Sequence, residues 1–302
     1  MTNHQGRALT VQTWLLAARP KTLPAAASPT IVGTAVAINA GVFCPWPALA
    51  ALLGALLIQI GTNLANDVFD YKRGADAVGR LGPLRVTQAG LLTPAQVMVG
   101  MGVTFGLAAL IGVYLTWVGG WPILLVGMLS LASGIAYTGG PFPLGYNGLG
   151  DVFVFIFFGL MAVCGTYYVQ AGSVSVAAFW ASVSMGALTT AILVVNNLRD
   201  IDTDRAVGKH TLAVRLGVKG ARVEYVLLLG IAYLLPLLTW LAGATSPWVL
   251  MTWLSLFLVK PLLRLVFCCK GRILNQALAE TARLELVYSL LFSLGLIVAR
   301  WV

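Results

Sequence analysis

The sequence predicts an all-α polytopic membrane protein. Nine transmembrane helices form one bundle around a central cavity, in a single domain over residues 1–302 with a cytoplasmic N-terminus. Three observations carry this expectation. First, apolar residues make up 59% of the chain and charged residues 10%, with a mean hydropathy of +0.89, whereas soluble domains carry about 25% charged residues. Second, nine stretches hold roughly the 20 apolar residues that a helix needs to cross a hydrocarbon core. Third, Lys and Arg crowd into particular loops and are missing from others. So few polar groups cannot cover a soluble globule of this size, and the hydrophobicity excludes disorder.

The first span, roughly 22–40, follows Arg7, Arg19 and Lys21, and its apolar run outlasts that of a signal peptide. The second, roughly 47–66, leads into Lys72, Arg73, Arg80 and Arg85. The third and fourth, roughly 97–118 and 121–138, are joined without Lys or Arg, and an uncharged loop leads to the fifth, roughly 149–170. The sixth, roughly 175–197, runs into Arg199, Arg205, Lys209, Arg215, Lys219 and Arg222. The seventh and eighth, roughly 222–243 and 247–266, share an uncharged link. Arg264, Lys270, Arg272 and Arg283 then precede the ninth, roughly 284–301.

The positive-inside rule puts every basic loop in the cytoplasm. Arg300 alone falls at the outer face, and Lys260 snorkels from within the eighth span. The net charge of +9 therefore reads as topology, with no nucleic-acid partner. Cys44, Cys164, Cys268 and Cys269 show no zinc or redox spacing. Glu285, at the start of the last span, is expected to pair with Arg283 or Lys260 and has no catalytic role.

Six of the ten acids fall in two short segments at the cytoplasmic ends of the second and sixth spans. Asn63, Asn66, Asp67 and Asp70 recur at helical spacing and share a face, with Asp76 just beyond. Asn197, Asp200 and Asp204 share another, while Asp202 points elsewhere. Clustered carboxylates repel one another, and cations relieve that repulsion. Oxygen-only ligands suit Mg²⁺, which prefers carboxylates, substrate phosphates and retained waters. The flanking Lys72, Arg199, Arg205 and Lys209 suit the remaining phosphate charge. The residues thus point to a Mg²⁺–diphosphate site at the mouth of a helical bundle.

The segments Asn66–Asp70 (NDVFD) and Asp200–Asp204 (DIDTD) resemble the paired aspartate motifs of UbiA-type intramembrane prenyltransferases. Arg19–Pro24 (RPKTLP), Gly82–Gly90 (GPLRVTQAG), Tyr137–Asp151 (YTGGPFPLGYNGLGD) and Asn196–Gly217 (NNLRDIDTDRAVGKHTLAVRLG) are similar to the branch acting on 1,4-dihydroxy-2-naphthoate. The likeness spans nearly the whole chain and is weakest after about residue 220. One departure is Gly74, where the wider superfamily often has a third Asp; Asp76 is the nearest substitute ligand.

The resemblance implies transfer of a polyprenyl chain from its diphosphate to 1,4-dihydroxy-2-naphthoate, with loss of CO₂, in the bacterial inner membrane. It implies Mg²⁺ on Asp67, Asp70, Asp200 and Asp204, with Asn63, Asn66 and Asn197 beside them. Tyr71 or Tyr137 are candidates to face the allylic cation. Two readings are open for Arg19 and Lys21: partner of the acceptor carboxylate, or topological anchor. Gln88 and Asn147 are candidate hydrogen-bond donors, and His210 reads as a surface residue. The alternatives are a prenyltransferase with another aromatic acceptor and, from a different class, an ion-coupled transporter. In a transporter, acids deep within helices would be expected.

Overall fold

The computed structural model describes residues 11–74 and 81–302, and all regular structure among them is helical. Asp76 and Arg80 lie outside the described residues, as do His4 and Arg7. Among the described residues eight helices are long and apolar enough to cross a membrane: α1 (Val11–Ala40), α2 (Pro45–Lys72), α3 (Pro94–Gly119), α5 (Gly150–Ala171), α6 (Val176–Arg199), α7 (Leu212–Leu241), α8 (Pro247–Cys268) and α9 (Gly271–Trp301). The fourth expected span is the shorter apolar helix α4 (Trp121–Ala136). It returns the chain to the end of α2, where Thr138 donates to Asn66 Oδ1 at 2.8 Å.

Local chemistry sets the ends. The Thr93 hydroxyl accepts the Gln96 N–H while the Gln96 side chain accepts the Thr93 N–H, a reciprocal cap with Pro94 in the first turn of α3. The Ser175 and Thr211 hydroxyls cap α6 and α7 by accepting the Ala178 and Val214 N–H groups, without a return bond. α7 begins ten residues before the span expected from hydropathy. Its first turns are set off by Gly217, whose φ of 71° breaks the helix before the membrane-spanning part.

The most enclosed helix is α6, packed against α5, α7, α9 and α1. Its crossing with α5 is close because Gly159 and Gly186 meet there. A Cβ on Gly159 would lie 2.6 Å from Gly186 Cα, which is the small-residue contact that draws membrane helices together. The crossing falls in a π-helical stretch of α5, Phe155–Cys164.

The two ends of the bundle differ in chemistry. At one end the segments 81–93, 137–149, 200–211 and 269–270 converge: Asn275 donates to Leu81 O and Arg215 to Asn147 O. At the other, Arg300 donates to Ile38 O at 2.8 Å, capping the negative end of α1. Exposed Trp46, Trp117, Trp121, Trp248 and Trp301 ring this second end as an interfacial belt. Lys260 is exposed on α8, as a snorkelling lysine requires. Glu285 corrects the expectation made of it. It lies mid-helix in α9, fully buried, against Thr189 of α6, while Arg283 pairs with Glu280.

Candidate active site

The site is assembled where α1, α2, α6 and the two loops after α2 and α4 meet. In α1 the helix breaks at Arg19, whose φ of 52° is in the left-handed region that β-carbon-bearing residues avoid. The following Pro20 disfavours the helical alternative. Side chains from α2 hold the break in place. Asn63 Nδ2 donates to Ala18 O and to Thr22 Oγ1, both at 2.9 Å, and Gln59 Nε2 reaches Thr22 Oγ1 at 3.2 Å. The break aims Arg19 at Asp67, 4.0 Å away. Asn63 is therefore a brace for Arg19, and Lys21 is exposed to solvent on the same turn.

Asp67, buried at the next turn of α2, binds the loop after it. Its carboxylate oxygens accept the backbone N–H groups of Val86 and Thr87 at 3.1 and 3.0 Å. Arg85, in the same loop and buried, donates to the Asn66 carbonyl and forms an ion pair with Asp70. This arginine was legible only as a topological charge; the structure puts it at the centre of the first motif. Gln88 in the same loop is exposed.

Asp70 is the meeting point. Besides Arg85 it accepts the Tyr146 hydroxyl at 2.6 Å and has Lys209 Nζ at 3.6 Å. Lys209 also lies 4.0 Å from Asp204, so one ammonium stands between the two acidic motifs. The Tyr146 ring sits between two cations, with Lys209 at 4.5 Å and Arg73 at 5.2 Å from its centroid. Its carbonyl accepts the His210 N–H at 2.8 Å, which ties the loop after α4 to the second motif. In sequence Tyr146 is one aromatic among the glycines and prolines of the Tyr137–Asp151 segment, with no local signal of this role.

Asp200 closes α6 and is clasped by its neighbour, Arg199 Nε donating to Oδ1 at 2.8 Å. The buried Arg199 also reaches Asn196 and Asn275, which fixes its guanidinium within the protein. Asp204 follows on a short helix, Ile201–Ala206. Partial burial pushes its carboxyl up to about 6; Lys209 opposes the shift and the Asp200 and Asp70 charges add to it. Asn197 is buried at the end of α6. Arg205 is exposed, and Lys72 points away to the Met98 sulfur at 3.0 Å. Of the expected residues the structure thus brings together Asp70, Asp204, Lys209, Asp200 and Arg199, with Asp67 and Arg19 adjoining.

Below these groups lies an apolar cavity of about 450 Å³ between α1, α2, α3, α4 and α5. Gln59, Thr62 and Tyr137 are among its polar lining, and the rest is mostly aliphatic and aromatic with a few Ser and Thr hydroxyls. The Tyr137 ring packs against the backbone of Gly145 and its hydroxyl lies close to Gly150 at the start of α5.

A helical membrane bundle with two facing acidic motifs over an apolar cavity defines a class of intramembrane enzyme for amphiphilic, anionic substrates. The chain belongs to the UbiA prenyltransferase family, which matches residues 26–271. It is 41% identical, over 96% of each chain, to the 1,4-dihydroxy-2-naphthoate octaprenyltransferase of Escherichia coli. It is 32% identical to that of Bacillus subtilis over 93% of this chain and 91% of the relative. The fold matches a UbiA homolog from Aeropyrum pernix with a TM-score of 0.67 at 17% identity, covering 90% of this chain and 97% of the other. A UbiA homolog from Archaeoglobus fulgidus bound to GPP and Mg²⁺ matches with a TM-score of 0.64 at 13% identity, covering 93% and 99%.

Proposed function

We propose that this chain transfers a polyprenyl group from its diphosphate to 1,4-dihydroxy-2-naphthoate, with release of diphosphate and CO₂, to give demethylmenaquinol, the reduced form of demethylmenaquinone. The observation that carries the reading is the union of two acidic motifs through Lys209 directly above an apolar cavity. The names of the relatives supply the acceptor. The positive-inside rule puts the acidic end on the cytoplasmic side of the bacterial inner membrane.

The donor set fits Mg²⁺. Among the described residues no three His, Cys, Asp or Glu side chains form a closed metal cluster. An ion that keeps waters and takes substrate phosphate oxygens needs only one or two protein carboxylates. Asp70 and Asp204 are the best placed to hold it, with Asp200 and Asp67 flanking them. When bound, the ion would act as a Lewis acid on the leaving diphosphate.

The chain's own residues supply the remainder. Lys209 would exchange its two carboxylates for diphosphate oxygens and offset charge as the allylic C–O bond breaks. The apolar cavity takes the prenyl tail and keeps water from the allylic carbon. Tyr137, in the cavity lining, offers a π face to the positive charge there. Arg19, aimed by its left-handed backbone, is the cation nearest to a naphthoate carboxylate entering beside α1. The electron-rich ring carbon then bonds to the allylic carbon, the carboxylate leaves as CO₂, and aromaticity returns.

The test is purified enzyme in lipid nanodiscs with both substrates and Mg²⁺, the lipid product being read by mass. Wild type should yield the prenylated, decarboxylated ring. Asp70→Ala and Asp204→Ala should lose more than about a hundredfold in rate while inserting normally. Full activity in either variant, or a product retaining its carboxylate, would overturn the reading.

A further inference from the structure

Small residues recur among the larger aliphatic ones in the lower wall of the cavity: Ala51 and Gly54 of α2, Ala108, Ala109 and Gly112 of α3, and Gly127 of α4. Two of these three glycines differ from the third. Around Gly112 the residues three and four positions away on either side (Ala108, Ala109, Leu115, Thr116) all line the cavity. The same holds for Ile123, Leu124, Ser130 and Leu131 around Gly127. Helical periodicity therefore sets each glycine at the middle of its helix's cavity-facing arc. A Cβ built on either meets no atom within 4 Å, so the space it would enter is cavity. At Gly54, by contrast, the Cβ would touch Ile111 at 3.6 Å.

The two positions stand at one height. Gly112 is seven residues before Gly119, the end of α3, and Gly127 is six after Trp121, the start of α4. Both are therefore about 9–11 Å from the α3–α4 turn. Gly54, at the same level through its Ile111 neighbour, is sixteen residues from Asp70 along α2, or about 24 Å. An extended isoprene unit of four carbon–carbon bonds covers about 4–5 Å. A diphosphate anchored at Asp70 would bring about the fifth unit of its chain to these glycines.

We propose that Gly112 and Gly127 together set the upper limit on prenyl chain length by holding the floor of the cavity open. The inference rests on the prenyl-transfer reading and adds to it a specificity determinant. A side chain at either position fills the passage that long chains need and leaves the upper cavity, where short chains end, unchanged. Neither position touches the acidic motifs.

The experiment compares wild type with Gly112→Leu, Gly127→Leu and the double variant on geranyl, farnesyl, geranylgeranyl and octaprenyl diphosphates, with naphthoate saturating. Gly106→Leu is the control, an exposed α3 glycine outside the cavity wall whose Cβ also meets nothing within 4 Å. Expected is kcat/KM within about twofold of wild type for the two shorter chains and a loss of about tenfold or more for octaprenyl. The double variant should show the steepest profile and the control none. A uniform loss at all lengths, or an unchanged profile, would overturn the inference and leave prenyl transfer standing. Absence of transfer by wild type on every diphosphate would overturn both.

Discussion

Replacing Arg85 by Ala tests whether the loop after α2 is held to the first motif by charge. Asp70 is almost wholly buried, and its counter-charges are the Arg85 guanidinium and, at 3.6 Å, the Lys209 ammonium. At an effective dielectric constant of about 20 the Lys209 contact amounts to about 4–5 kcal/mol before desolvation is subtracted. Breaking a buried ion pair costs about 3–5 kcal/mol. With Lys209 and the Tyr146 hydroxyl still in place, Arg85→Ala should fall near the lower end, about 3 kcal/mol. Reversible unfolding in mixed detergent micelles measures the loss. A cycle with Asp70→Asn isolates the pair, and a coupling of about 2 kcal/mol or more is expected. The Arg85–Asn66 carbonyl bond and the Asp67 bonds to Val86 and Thr87 share this loop. Proteolysis within residues 81–92 should therefore accelerate in Arg85→Ala. Additivity of the two substitutions within about 0.5 kcal/mol would refute the ion pair as the loop's anchor.

Two further predictions follow from single side chains. Asp204 is raised to about 6 by partial burial, so the metal-free folded protein binds its proton more tightly than the unfolded chain does. The stabilisation that this gives is full below the unfolded value and lost as pH rises through about 6. Asp204→Asn should therefore unfold later than wild type at pH above about 7 without Mg²⁺. In wild type, Mg²⁺-dependent diphosphate binding, read by calorimetry, should weaken up to tenfold per pH unit below about 6; a flat profile from pH 5 to 7 (roughly spanning that value) would contradict the assignment. Glu285 is the second case. The Thr189 hydroxyl has one proton but sits 3.0 Å from Met185 O and 2.5 Å from Glu285 Oε1. If Thr189 donates to the carbonyl, the carboxyl must donate to Thr189, and Glu285 is a neutral acid. Glu285→Gln should then cost under about 1 kcal/mol, and Glu285→Ala about 2–4 kcal/mol through the cavity it leaves. Equal destabilisation by the two, in the same unfolding assay, would count against a neutral Glu285.

The difference between what the sequence discloses and what only the fold does follows from the range of each interaction. Span positions and the two acidic helix ends are local properties of hydropathy and of three- and four-residue spacing; eight of the expected spans and both acidic ends appear, though α1, α7 and α9 begin ten or more residues before the expected starts and α4 is shorter than a span. Shared faces were also local, so Asn63, Asp67 and Asp70 do all point inward. Their division of labour was not local. Asn63 braces the α1 break across 45 residues to Ala18, Asp67 binds backbone N–H groups 19 and 20 residues on, and only Asp70 meets the second motif. Arg85 and Tyr146 were hidden for the same reason. One looked like an ordinary cytoplasmic arginine and the other like one aromatic in a glycine-rich loop, until folding brought them 15 and 76 residues back to the same carboxylate. Glu285 was misjudged because hydropathy begins the last span late, whereas the helix starts at Gly271 and carries that acid to mid-membrane. A mid-span acid is the feature expected of a transporter. Here it contacts a threonine, however, while the carboxylates that face cations gather at one end of the bundle. That segregation favours chemistry at a membrane face over passage through the membrane.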